Sequence, residues 1–157
     1  MMFRSSCAAV GMSLVLLFGA CESAPAVATC PASCASPETQ AIVDAVAKEH
    51  PEVVRLTVHA KGTGCDKYCV IASTIAAKVC KLSDPEDLEA MSTGKTVVMD
   101  EVGMIDVTVP VLKVGPQCTA TVGVTFKANA EMRRDEFVAM ASAIAKVVEG
   151  RIRAIKK

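Results

Sequence analysis

Apolar and polar residues alternate along residues 104–126, first as Ile105, Val107, Val109 and Val111 against Asp106, Thr108 and Pro110. The pattern resumes as Ala120, Val122, Val124 and Phe126 against Thr119, Thr121, Gly123 and Thr125. A period of two predicts strands, and Gly115-Pro116 predicts the turn that folds one strand back on the other. One face of this hairpin is apolar. The other is small and hydroxylated, which suits either open water or the floor of a modest pocket.

The rest of the chain reads as elements that complete a sheet around that hairpin. Ser36-Pro37-Glu38 opens a helix, with Ser36 as N-cap, and Ile42, Val43, Val46 and Ala47 mark its buried stripe. Pro51 stops it and leaves His50 as a solvated end residue. Residues 53–61 form a strand with Val54, Leu56, Val58 and Ala60 on one face and Arg55, Thr57 and His59 on the other. A turn at residues 62–67 leads into a second strand over 68–74, and residues 75–82 predict a short helical connection. Ser83 or Asp84, followed by Pro85, caps a short acidic helix that Gly94 ends. Its Asp84, Glu86, Asp87 and Glu89 read as a solvated face. Residues 95–101 give a third strand. From Asn129 the chain is helical, and Phe137, Ala141, Ile144, Val148, Ile152 and Ile155 form a continuous stripe that belongs on the sheet's apolar face.

With 157 residues, the chain has room for one compact domain after a targeting segment is set aside. Lys plus Arg and Asp plus Glu number 17 each, which excludes electrostatic capture of nucleic acid. Trp is absent, and Tyr occurs once, so stacking platforms for bases or sugars are lacking too. Residues 1–20 have the form of an export signal: Arg4 is the basic n-region, and residues 10–20 are an apolar run too short to span a membrane. The run ends in Leu17-Phe18-Gly19-Ala20-Cys21, which resembles the lipobox of bacterial lipoproteins and marks Cys21 for lipidation, palmitate included. Residues 21–35 then form an Ala, Pro and Ser rich tether and residues 36–157 the domain. The expected location is the cell envelope, lipid-anchored and facing the periplasm. The rival is a secreted protein cut after Ala26-Val27-Ala28.

Either cut removes Cys7. Cys30, Cys34, Cys65, Cys69, Cys80 and Cys118 remain, and an even set in an exported chain points to disulfides, although sequence does not choose the pairs. Cys30 and Cys34 either close on each other or pin the tether to the domain, and a Cys65–Cys69 bridge would staple the first hairpin. The x3 spacing in both pairs is not that of dithiol redox motifs or common zinc sites, so no metal and no cofactor is expected. No phosphate loop, serine elbow or haem motif occurs, and the expectation is a chain without catalytic activity.

The element order is that of PAS-like domains: α+β, with a five-stranded antiparallel sheet, the N- and C-terminal helices on one face and a short helix on the other. Ile71-Ala72-Ser73, Lys78-Val79-Cys80-Lys81, residues 83–88, Thr93-Gly94-Lys95, residues 107–111 and residues 122–126 resemble extracytoplasmic single Cache domains over residues 53–127. That resemblance implies capture of a small polar ligand, such as a carboxylate, between the short helix and the sheet. Carried over, the ligand positions would be Arg55, Thr57, His59, Tyr68, Ser73, Asp106, Thr108, Thr121 and Thr125. Cys80 stands where the family's linker has glycine, and Cys118 where its last hairpin turns, which implies a Cys80–Cys118 bond. With no output module in the chain, any signal must pass to a periplasmic or membrane partner protein. Two other readings stay open: a protein-docking lipoprotein made durable by disulfides, and a thiol or metal-binding protein.

Overall fold

A computed structural model describes residues 29–114 and 117–155 of the chain. The export signal, Cys21 and the turn at Gly115-Pro116 lie outside the described residues. The elements are α1 (Pro37–Glu49), β1 (Val53–Lys61), β2 (Tyr68–Ser73), α2 (Pro85–Thr93), β3 (Val97–Glu101), β4 (Met104–Val114), β5 (Gln117–Lys127) and α3 (Arg134–Ile155). All strand pairs are antiparallel, and the order across the sheet is β2-β1-β5-β4-β3. The α+β class, with two helices on one face and a short one on the other, is therefore as the sequence predicts.

Period-two alternation sorts the strands onto two faces. Leu56 and Val58 of β1, Val107 and Val111 of β4, and Ala120, Val122, Val124 and Phe126 of β5 all point to one side and are buried. They pack against Ile42, Val43 and Val46 of α1 and against Phe137, Ala141, Ile144, Ala145, Val148 and Ile152 of α3. The rings of Phe126 and Phe137 meet at 5.5 Å between centroids. Each large side chain removed from water here contributes about 1.5–3 kcal/mol, which is what holds α3 on the sheet. Ile155 corrects the predicted stripe: it is the last residue of α3 and is 53% exposed, whereas Ile152 one turn earlier is buried.

The helix boundaries follow from local chemistry. The Ser36 hydroxyl accepts from the Thr39 N–H at 3.3 Å and so satisfies a free donor at the start of α1. At the start of α2, Asp84 and Asp87 form a capping box, with the Asp87 carboxylate accepting from the Asp84 N–H at 3.0 Å. Gly94 ends α2 at φ 65°, a left-handed conformation that glycine adopts without strain. The connection over residues 75–82 is less helical than predicted: one 3-10 turn, Ala76–Lys78, is all that forms.

Residues 29–35, assigned to the tether, are packed on the domain. Thr29 bridges to Lys81, Ala32–Cys34 makes a 3-10 turn, and Cys34 is buried. The anchor is a Cys30–Cys65 disulfide, so of the two arrangements open to Cys30 the structure has the one that pins this segment. The Cys65–Cys69 staple does not form. Nor does the Cys80–Cys118 bond: Cys80 lies beside Cys34, while Cys118 is a buried free thiol on β5 opposite Lys113.

Candidate functional site

The hydroxylated face of the sheet is roofed. Helix α2 packs on β4 and β5 from the side opposite α1 and α3, and it buries Ala90 and Met91 there together with Asp87. Thr57, Ser73, Thr108, Thr121 and Thr125 are all buried, so this face is not the hydrated side of a half-covered sheet.

A cavity of about 100 Å³ remains where α2, the segment over residues 78–84 and the sheet meet. Its floor is Arg55, Thr57 and His59 of β1, Asp106 of β4, and Gly123 of β5. Its wall and rim are Val70, Lys78, Lys81, Leu82, Asp84, Glu86, Asp87 and Glu101. Gly123 leaves room at the centre: a methyl group there would sit 3.8 Å from Thr57 Cβ and 3.9 Å from His59 Nε2, in ordinary contact with both.

The floor is organised by charge-assisted bonds. Arg55 Nη2 lies 3.2 Å from Glu101 Oε1 and 3.4 Å from Asp106 Oδ2, and Thr125 Oγ1 donates to Asp106 Oδ1 at 2.6 Å. Arg55 and Asp106 are mostly buried, so the pair is screened little by solvent. Beside it, His59 Nδ1 stands 3.1 Å from Asp87 Oδ2 and 3.1 Å from Ser83 Oγ. Burial, helped by the charges of Lys78 and Arg55, pushes His59 down to about 3 and keeps its ring neutral. Burial, with the carboxylates of Glu86, Asp84 and Asp106 adding to it, pushes Asp87 up to about 7 against the lowering effect of its bond to the Asp84 backbone.

The rim carries charges of both signs that pair with no described residue. Lys78 and Lys81 supply the cations and Asp84 and Glu86 the anions; none of the four belongs to an ion pair among the described residues.

Of the predicted ligand positions, Arg55, Thr57, His59 and Asp106 line this cavity together. Ser73, Thr108, Thr121 and Thr125 lie on the same face but behind the wall. Ser73 bonds Thr57 at 3.3 Å, Thr108 donates to Asp87 at 3.5 Å and Thr125 holds Asp106. The Thr121 hydroxyl is buried without a partner among the described residues. Tyr68 is not part of the site; its ring lies 5.5 Å below Lys61 Nζ at the far end of β1.

Sequence reasoning missed Asp87, which is 4% exposed rather than on a solvated face. The signal was present, because Asp87, Ala90 and Met91 share the i, i+3, i+4 spacing of a buried stripe. Lys78, Lys81, Glu86 and Glu101 carried no such pattern, since they reach the site from loops and element ends.

No protein-family model and no curated protein matches the chain. Solved structures of similar fold include a type II free methionine-R-sulfoxide reductase from Thermoplasma acidophilum, at 13% identity, 71% of this chain and 89% of that one covered, and a TM-score of 0.46. Another is the GAF domain of the Acinetobacter phosphoenolpyruvate-protein phosphotransferase, at 14% identity, 74% and 85% coverage and a TM-score of 0.47. A third is the C-terminal domain of the E. coli transcriptional regulator KdgR, at 13% identity, 73% and 95% coverage and a TM-score of 0.42. The expectation of a chain without catalytic activity is withdrawn: a structure of similar fold is a reductase, and at 13% identity that likeness shows the fold alone.

Proposed function

We propose that the chain is an exported, lipid-anchored domain that captures a small zwitterionic or carboxylate ligand in the cavity under α2. One observation carries this reading: Lys78, Lys81, Asp84 and Glu86, which form no ion pair among the described residues, line a roofed cavity whose floor holds Arg55, Thr57 and Asp106. A ligand carboxylate would satisfy the lysines and a ligand ammonium the acids, with bonds strengthened by the low dielectric beneath α2. At about 100 Å³, the cavity falls well below the ~300 Å³ and more of drug-sized sites, which favours short organic acids and amino acids over nucleotides or lipids.

The resemblance of residues 53–127 to single Cache domains supports the same class of ligand, and the lipobox-like stretch ending at Cys21 supports the anchor. Replacing Cys21 with Ser would release the protein from the membrane fraction. The ligand reading is tested by thermal shift against a panel of amino acids and short organic acids, since a ligand that binds only the folded state raises stability by mass action. A flat response across the panel would instead favour a surface that docks another protein.

A further inference from the structure

Five cysteines meet at one place outside the cavity. Cys30, Cys34 and Cys69 are buried together, with Cys65 and Cys80 packed against them, and only Cys30 and Cys65 are bonded. The Cys34 thiol lies within hydrogen-bonding reach of both the Cys69 and the Cys80 thiols. Cys69 Sγ in turn lies within 4.8 Å of the sulfurs of Cys30 and Cys65. The sulfurs thus run in a chain, Cys80 to Cys34 to Cys69 to the disulfide, and of the three free thiols Cys80 alone is reachable from solvent.

Cys80 is also held at φ 65°, a left-handed conformation that strains any side chain and that glycine would adopt freely. Its backbone is fixed there by bonds to both neighbouring segments, Cys80 N–H to Val70 O at 2.8 Å and Cys30 N–H to Cys80 O at 2.7 Å. A thiol is thus kept at a strained position, at the solvent end of a line of sulfurs.

We propose that Cys80 and Cys34 form a redox-active dithiol that exchanges with low-molecular-weight disulfides, Cys80 being the entry point and Cys34 the resolving thiol. The Cys80 thiolate attacks one sulfur of RS–SR; that S–S bond breaks, one RS⁻ leaves, and a Cys80–SR mixed disulfide remains. The Cys34 thiol then loses its proton to water and attacks Cys80 Sγ. The Cys80–SR bond breaks, the second RS⁻ leaves, and a Cys34–Cys80 disulfide forms. The small disulfide is reduced to its two thiols, and the two protein thiols are oxidised. Burial, with the thiols of Cys80 and Cys69 adding to it, pushes the Cys34 pKa well above that of a free thiol, so the second step is slow at neutral pH and quickens as pH rises. The Cys30–Cys65 bond stays intact throughout and keeps residues 29–35 on the domain.

The test uses the full chain, reduced mildly so that Cys30–Cys65 survives, then treated with glutathione disulfide and quenched by alkylation, with the products read by mass spectrometry of the peptides of residues 29–155. The expected wild-type product is a Cys34–Cys80 bond with no glutathione retained. Cys34→Ser should trap glutathione on Cys80. Cys80→Gly, which suits the left-handed backbone and so keeps the fold, should take up none and form no new bond. The proposal is overturned by a wild-type product joining Cys34 to Cys69, by glutathione that stays on Cys80 while Cys34 remains free, by uptake in Cys80→Gly, or by no reaction at Cys80.

Discussion

His59 Nδ1 of β1 and Asp87 Oδ2 of α2 stand 3.1 Å apart, with both side chains less than a tenth exposed. The proton that an exposed pair would keep on the histidine stays on the carboxyl, because burial holds His59 near 3 and Asp87 near 7. The sign of each contribution follows. Asp87, raised from 3.8, contributes stability that is fully present below 3.8 and is lost as pH rises through about 7. His59, lowered from 6.5, contributes stability that is present above 6.5 and is lost as pH falls toward 3. Between 3.8 and 6.5 folded and unfolded chains bind the same number of protons at this pair, so its contribution is flat. Single substitutions should unmask opposite slopes, at most ~1.4 kcal/mol per pH unit. Asp87→Asn should lose stability relative to wild type as pH falls across the window, and His59→Gln as pH rises. Urea titrations at several pH values measure both, and parallel wild-type and variant profiles would refute the pairing.

Thr121 carries a hydroxyl buried without a described partner under α2. Thr121→Val keeps the shape, removes the unsatisfied group and suits a strand, so it should stabilise the domain by about 1 kcal/mol. The urea midpoint reads this directly; an unchanged or lower midpoint would show that the hydroxyl is satisfied in solution.

The Cys30–Cys65 bond closes a loop of sequence separation 35, and in the chain-entropy model its removal costs about 4 kcal/mol. Cys65→Ser should lower the urea midpoint accordingly and open residues 29–35 to proteolysis. Limited digestion with N-terminal sequencing follows the second effect. A variant equally resistant at these residues would mean that the backbone bonds of Cys30 and Thr29 hold the segment without the disulfide.

The strand faces were legible because alternation with period two leaves little choice of side: Arg55, Thr57, His59 and Asp106 were placed together from pattern and family resemblance. Tyr68 shares that face but was misplaced along it: it pairs with Lys61 at the end of β1, two residues beyond His59, where the cavity does not reach. Asp87 was hidden by its neighbours. In a nine-residue helix with acids at Glu86, Asp87 and Glu89, the one turned toward the sheet looks like the rest until the roof is in place. Cysteine pairing was illegible for a different reason. Cys30 and Cys65 meet through the path of residues 29–35 over the first hairpin, which no local spacing encodes.

Gly123 offers the most direct test of the cavity itself. Gly123→Ala places a methyl group in ordinary contact with Thr57 and His59, so the domain should fold with unchanged or slightly higher stability, by up to ~1 kcal/mol, while the cavity floor is filled. The decisive measurement is isothermal titration calorimetry of wild type and Gly123→Ala with the amino acid or short acid that gives the largest thermal shift. The account predicts saturable binding to wild type and a loss of affinity of tenfold or more in the variant, a difference of about 1.4 kcal/mol or more. Equal affinities in both proteins, or no saturable heat from wild type with any member of the panel, would contradict it.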